Sequence, residues 1–290
     1  MDIERNDRTG GVETMKDLIR LDQIEKNDLC NIFKIADDIH AYKDALKGKT
    51  IILFFPSSSI RTRVTFEKGI QQLGAQVILF PSETLDKKEA IKDVIGYLDN
   101  WADGVIVRHK DINLIEKMAH YSKHPVINAM TEVNHPCEVL SDLYSFSKLR
   151  EDYLKANYLF VGATGNIGLA WKEAAQLLGF TLKQSCPKGF EIEGIENIED
   201  IHQAMIDQDI ILTDPLPSNM KSSFKDHMIT LKLMKKANNA ALLNPCPPFS
   251  RDEEVSAEVI DSDFFVGYQF KENLLRVQQA VILYCMGVYE

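Results

Sequence analysis

The stretch Ile51-Ile52-Leu53-Phe54-Phe55-Pro56-Ser57-Ser58-Ser59-Ile60-Arg61-Thr62-Arg63 sets the reading of the whole chain. Its first five residues form an unbroken apolar run. A strand covered on both faces shows such a run, whereas a half-solvated strand alternates. Polar residues follow at once and open a helical pattern. Strand, polar turn and helix in that order begin a parallel α/β unit.

Working outward, the same order recurs. Further apolar runs lie at 77–80, 105–107, 126–127, 158–161, 210–212, 240–243 and 264–266, with a weaker one at 181–184. Helical apolar spacing from 22 to 47 (Ile24, Leu29, Ile32, Phe33, Ile35, Ala36, Ile39) precedes the first run. The strand signal pauses between 128 and 157, across a helical stretch near 139–149 and the charged segment Lys148-Leu149-Arg150-Glu151-Asp152. The domain junction is placed there. A last helix from 273 to 286 carries Leu274, Val277, Ala280, Val281 and Tyr284 on one side and can return to the first domain. The expected fold is α/β, with two doubly wound parallel-sheet domains and the active site in the cleft between them. Residues 1–146 form one domain, with 274–290 returning to it, and 147–273 form the other. The length of 290 residues agrees, at ~150 residues per domain. Residues 1–13, polar and containing Gly10-Gly11, read as a loose tail.

The chain carries 33 basic and 43 acidic side chains, a formal charge of −10. That balance disfavours a broad nucleic-acid or membrane surface, because phosphate backbones select for positive charge. Any bound anion must be held by a local basic cluster. No run approaches the ~18 apolar residues that span a bilayer, and the acidic, polar start is unlike a signal peptide. Five scattered cysteines, an odd number without a Cys-x-x-Cys pair, fit reduced thiols in a cytoplasmic protein. His120 and His124, four apart on an expected helix, lack a third ligand and read as a solvated face, so no metal is expected.

In open parallel sheets ligands bind beyond the carboxyl ends of the strands. The unusual polar residues here fall at such ends: the 56–63 segment, Arg108-His109, Asn134-His135-Pro136, the 162–168 stretch, 214–219 and 244–248. A helix N-terminus offers free N–H groups and a positive dipole end. Ser59 can cap the helix, Thr62 adds a hydroxyl, and Arg61 and Arg63 add charge with a fork suited to phosphate. On spacing alone a second reading stands beside it: Ser59 as N-cap, with the arginines paired to surface carboxylates. Gly162-Ala163-Thr164-Gly165-Asn166-Ile167-Gly168 is a G-x-x-G-x-x-G loop, which points to a dinucleotide site. The ribose-binding acid expected about 20 residues on is missing from Thr181-Leu182-Lys183-Gln184-Ser185-Cys186-Pro187. A tight turn without nucleotide explains the loop as well. Cys137 beside His135 reads as a small buried cysteine before a nucleophile.

Taken jointly, these residues resemble the aspartate/ornithine carbamoyltransferase family over about residues 16–290. Ser59-Ile60-Arg61-Thr62-Arg63 matches its S-x-R-T-R phosphate loop. His135-Pro136-Cys137-Glu138-Val139-Leu140-Ser141-Asp142 is similar to H-P-x-Q-x-L-x-D, and Asn244-Pro245-Cys246-Pro247 resembles H-P-L-P or H-C-L-P. The resemblance implies transfer of a carbamoyl group from carbamoyl phosphate to an amine, with no organic cofactor and no metal. It implies that Ser59, Ile60, Arg61, Thr62, Arg108, His135, Glu138, Cys246 and Arg276 bind carbamoyl phosphate. Arg61, Thr62, Arg108 and His135 are its implied catalytic residues, and the Cys246 carbonyl its implied ligand for the carbamoyl NH₂. It further implies a homotrimer in which a loop bearing Thr84, Lys87 and Lys88 enters the neighbouring subunit's site, and a cis peptide between Cys246 and Pro247.

The departures bear on the second substrate. Glu138 stands where the family has Gln, Asn244 replaces His, and Ser218-Asn219-Met220 preserves only part of the ornithine-type S-M-G loop. Aspartate enzymes use arginines at the positions that look like Asn166 and Asp214 here. Asp214-Pro215-Leu216-Pro217-Ser218 keeps the D-x-x-x-S spacing of ornithine enzymes. Asn166, Asp214, Ser218 and Asn219 are therefore the expected amine ligands, and ornithine or a basic relative the expected acceptor. Aspartate or another amine remains an alternative acceptor. An NAD-dependent oxidoreductase and an inactive binding homologue are the alternative classes.

Overall fold

Nine strands, ten α-helices and five short 3-10 helices account for the regular structure of residues 15–289, which are the residues described by this computed structural model. The tail expected over 1–13 lies outside them. The chain divides into two units: residues to Tyr144 together with Glu272 onward, and Ser145–Lys271.

The first unit is built on β1 (Thr50–Phe54), β2 (Gln76–Phe80), β3 (Gly104–Arg108) and β4 (Val126–Met130), parallel in the order β2-β1-β3-β4. Its helices are α1 (Lys26–Asp37), α2 (Arg61–Gln72), α3 (Ile91–Leu98), α4 (Ile112–Tyr121) and the amino-terminal part of α5 (Pro136–Leu149). Ile52, Val105, Val107 and Val126 pack with Ile95, Ile115 and Met118 of the helices on one face. That burial explains why these strands read as unbroken apolar runs. The chain enters beside β4: Leu18 bridges Ile127, and Asp17 accepts from the Val126 N–H at 2.8 Å.

The second unit holds β5 (Asn157–Val161), β6 (Thr181–Ser185), β7 (Glu196–Asn197), β8 (Ile210–Thr213) and β9 (Leu242–Pro245), parallel in the order β7-β6-β5-β8-β9. Between its strands lie α6 (Asn166–Leu178), α7 (Ile201–Ala204), α8 (Leu231–Met234) and α9 (Ala257–Ile260). The last helix, α10 (Asn273–Cys285), belongs to the first unit. There Gln279 Nε2 donates to the Gly69 carbonyl of α2 at 3.2 Å.

Four local expectations are corrected. Residues 264–266 form no strand: Phe265 makes a single bridge to Leu243, and Gly267 at φ +80° turns the chain away. The helical spacing from 22 to 47 resolves into α1 and a 3-10 turn at Ile39–Tyr42, broken at Asp38. Helix α4 stops at Tyr121, so His124 lies beyond it and does not share a helical face with His120. The side chain of Ser59 does not cap α2, whose N-cap is Ile60. Strand β7, two polar residues long, carries no apolar signal in the sequence.

Gly168 shows why the glycine loop is glycine-rich. A Cβ there would stand 2.7 Å from Ile192 Cδ1 and 2.8 Å from Phe160 Cε1. The close seat of α6 on β5 therefore depends on a missing side chain. Gly168→Ala is expected to destabilise the chain by about 1–3 kcal/mol through overpacking. A denaturant midpoint equal to wild type would refute this.

Candidate active site

In the first unit the turn after β1 is closed by the Ser59 N–H donating to the Pro56 carbonyl at 3.0 Å. The helical bonding of α2 begins with Val64 N–H to Ile60 O, also at 3.0 Å. The N–H groups of residues 61–63 are thus left without intrahelical partners, and no acidic side chain occupies the first turn. An anion is favoured at such an end.

Arg108 ends β3, the strand next to β1. Its Nη1 donates to Ser59 Oγ at 3.2 Å and approaches Thr62 Oγ1 at 3.4 Å. Ser59 and Thr62 are buried. One guanidinium and two hydroxyls are thereby collected at the start of α2. Arg61 stands exposed at the first helical position, while Arg63 is committed to Glu67 at 2.5 Å. The surface-pair reading therefore describes Arg63, while the Arg61 side chain makes no hydrogen bond to Arg108, Ser59 or Thr62 and enters the site only as an expectation.

His135 and Glu138, both buried, lie at the opening of α5 after β4. The end of β3 lies against β4, where Arg108 is the register partner of Met130. Arg276 sits in the first turn of α10. A cavity of about 400 Å³ opens beside the end of β3, lined by Arg108, His109 and Lys110 and by the carboxylates of Glu83, Asp86 and Glu132; of the expected carbamoyl phosphate ligands only Arg108 lines it. That volume suits a small molecule.

Thr84 belongs to the 3-10 turn Ser82–Asp86, and Lys87 and Lys88 follow it, exposed. The turn is anchored by a pair that sequence reading did not identify. His109 Nδ1 accepts from the Asp111 N–H at 3.1 Å, so Nε2 carries the proton and donates to Asp86 Oδ1 at 3.1 Å. The available signal was the place of His109, directly after Arg108 at a strand end.

In the second unit the loop after β5 leads into α6, with Gly165 as N-cap and Asn166 first in the helix. Asp214 follows β8, the neighbour of β5. Its Oδ2 lies 3.8 Å from where a Cβ on Gly165 would stand, so the carboxylate sits beside the glycine loop. Asn166 and Asp214 are thus gathered at two adjacent strand ends. Ser218 and Asn219 lie further along the same loop, exposed. Leu216 and Met220 hold that loop by packing on Ala163, Cys186 and Phe224.

Cys246 follows β9 and is buried, its N–H donating to the Thr213 carbonyl at 2.9 Å. The cis peptide joins Pro247 to Pro248 rather than Cys246 to Pro247, which corrects the expectation. Two X–Pro bonds stand in succession here, each with only a small trans preference, and the second adopts cis.

Gln184 stands near the end of β6, where a dinucleotide site would place its ribose acid. It is fully buried. Its Nε2 donates to the carbonyls of Gly162 (2.8 Å) and Phe190 (3.2 Å), and its Oε1 accepts from the Ile192 N–H at 2.7 Å. Every polar group of the side chain is spent on backbone, and the glycine loop is tied to the segment that follows β6. The Cys137 thiol is fully buried and pushed up to about 12 by desolvation, with the Glu138 charge adding to it. It is a neutral core group, not a nucleophile. Among the described residues no group of three His, Cys, Asp or Glu is placed to hold a metal, and no helix is long and apolar enough to cross a membrane.

Residues 16–148 match the aspartate/ornithine carbamoyltransferase carbamoyl-P binding domain, and residues 155–285 match the Asp/Orn binding domain of the same family. The chain is 35% identical over 263 residues to an ornithine carbamoyltransferase of Hydrogenovibrio crunogenus, covering 84% of this chain and 87% of that protein. It is 29% identical over 297 residues to the one of Geobacter sulfurreducens, covering 92% and 98%. Among solved structures it is similar to the ornithine carbamoyltransferase of Pyrococcus furiosus, with a TM-score of 0.90, 26% identity and coverage of 97% and 100%. The polar residues gathered at the strand ends of each unit thus coincide with two matched domains, and the chain belongs to the aspartate/ornithine carbamoyltransferase family.

Proposed function

We propose that this chain transfers the carbamoyl group of carbamoyl phosphate to the side-chain amine of ornithine or a closely related basic amino acid. The observation that carries the reading is the bonding of Arg108 to Ser59 and Thr62 at the open end of α2. In a chain of charge −10, such a cluster is a specific anion site and not part of a basic surface.

The amine lone pair attacks the carbamoyl carbon. A C–N bond forms, the bond from that carbon to the phosphate oxygen breaks, the amine gives up a proton and phosphate leaves. Negative charge grows on the carbamoyl oxygen and on the departing phosphate. Arg61, Arg108, Thr62 and His135 are assigned to that charge. Fixed donors aimed at developing charge contribute ~2.7–4 kcal/mol each when well placed. Ser59, Ile60, Glu138, Cys246 and Arg276 complete the carbamoyl phosphate set. The amino acid is assigned to Asn166, Asp214, Ser218 and Asn219.

Charge selects the acceptor. Two unit charges at 4 Å interact by roughly 4 kcal/mol at an effective dielectric of 20. Asp214 therefore attracts an α-ammonium group and repels a dicarboxylate such as aspartate. The names of the relatives above agree with that choice. The commitment of Gln184 to backbone speaks against the dinucleotide reading.

We further propose a homotrimer, with the 84–88 segment of one subunit serving its neighbour. Support comes from large apolar side chains exposed on the first unit: Ile60 and Val64 beside α2's start, Ile78 and Phe80 on edge strand β2, and Tyr97 and Trp101 near the end of α3. The free cysteines suit a reducing, cytoplasmic compartment.

Four outcomes test these assignments. Arg61→Ala and Arg108→Ala are each expected to weaken carbamoyl phosphate binding about tenfold or more, as loss of a charged hydrogen bond does. Unchanged affinity by calorimetry in both would remove the phosphate site. With a panel of amines, phosphate release and ureido product should appear with ornithine or a basic relative, and the rate should rise with pH as the attacking amine becomes neutral. Asp214→Ala should raise the acceptor KM about tenfold; robust turnover of aspartate alone, or an unchanged KM, would overturn the acceptor. Mixed oligomers of Arg61→Ala and Lys88→Ala chains should regain part of the activity that each homogeneous variant lacks. A fully active monomer by light scattering would exclude the shared site.

A further inference from the structure

The second unit contains a buried carboxylate that the proposed reaction does not use. Glu254 is 5% exposed. Its Oε1 accepts from the Leu216 N–H at 3.0 Å, and its Oε2 accepts from the Ser250 N–H at 2.8 Å. These donors lie on different loops. Leu216 is two residues beyond Asp214 on the loop that leaves β8, and Ser250 is four beyond Cys246 on the loop that leaves β9.

Both loops are short of donors. Pro215 and Pro217 flank Leu216, so the Leu216 N–H is the sole backbone donor across 215–217. Pro247 and Pro248 remove two more donors ahead of Ser250. The carboxylate collects an N–H from each proline-stiffened segment. It is itself held firmly: the Glu254 carbonyl accepts from the Ile229 N–H at 2.9 Å, and Val255 beside it is fully buried in the core. An outer ion pair, Lys221–Glu253, joins the same two segments between half-exposed side chains.

We propose that Glu254 is a positioning residue for the acceptor: by clamping the Leu216 and Ser250 N–H groups it holds the Asp214 loop against the Cys246 loop in one geometry. The chemical requirement is a bidentate anion. A glutamine in its place keeps one carbonyl oxygen and presents an NH₂ to the second N–H, donor against donor. An aspartate is one methylene short of reaching both. The inference rests on the assignment of Asp214 to the amine.

The clamp is read first in the unaltered chain by amide hydrogen exchange. The Leu216 and Ser250 amides should exchange about tenfold or more slowly than those of Ser218 and Asn219, as charge-assisted bonds require. Equal rates would overturn the clamp without any variant. In Glu254→Gln and Glu254→Asp the protection at 216 and 250 should fall, while the strands keep theirs. With either variant folded, the acceptor KM should rise about tenfold, and affinity for inorganic phosphate, assigned to the first unit, should stay within a factor of about two. An unchanged acceptor KM, or equal losses in phosphate affinity and strand protection, would reduce Glu254 to a structural group and overturn the proposal. If the clamp is seen by exchange but no amine is carbamoylated by wild type, the acceptor reading fails and the clamp does not.

Discussion

Parallel hydrogen bonding is the constraint on which the rest of this molecule depends. When every strand of a sheet runs the same way, every loop leaving a carboxyl end emerges along one edge. In the first unit β1 and β3 are neighbours, so the Arg108 guanidinium meets a hydroxyl 49 residues earlier in the chain. In the second unit β5 and β8 are neighbours, and the Asp214 carboxylate arrives beside Gly165. Neither meeting is encoded locally. Each follows from strand order, and strand order follows from burying the apolar runs on both faces.

Electrostatics then decides what those edges hold. With acidic side chains in excess, a phosphate is repelled by the molecule at large, and the proposed function places it where the free N–H groups that open α2, two hydroxyls and a guanidinium converge. The division of labour within Ser59-Ile60-Arg61-Thr62-Arg63 illustrates the point. Arg63 spends its charge on Glu67 one turn away, which supports the helix. Arg108 spends its own on the two hydroxyls that face it. The same residue type thus serves the fold in one position and, in the function proposed above, an anion site in another.

Much of this was legible in the sequence, for a physical reason. Doubly buried strands must be continuous apolar runs, and polar residues directly after such runs have few structural excuses. Strands β1, β3, β4, β5, β8 and β9 and the start of α2 were readable on that ground, whereas β2 is apolar but half-exposed and β6 carries only a weak apolar signal. Glu196–Asn197 was not, because a two-residue edge strand buries little and needs no apolar pattern. Residues 264–266 misled in the opposite sense: an apolar run can be half-buried by packing while making only one bridge. In the site, Arg108 and Asp214 were visible by position. The Asp86–His109 pair was not, since its partners are 23 residues apart and neither stands in a motif.

What the sequence hides most completely is the machinery that holds loops still. Gln184 ties the glycine loop to the chain beyond β6. Asp86 and His109 fasten the turn before Lys87 and Lys88. Glu254 joins two loops through their backbone. Gln184, His109 and Glu254 are buried polar side chains satisfied by backbone or by one fixed partner, and each would be costly if left unpaired. A reaction without a protein nucleophile gains its rate from orientation and fixed donors, and these require loops that do not drift. Proline lowers the freedom of such loops but removes N–H groups that could tether them. A buried carboxylate that gathers the few remaining donors reconciles the two demands.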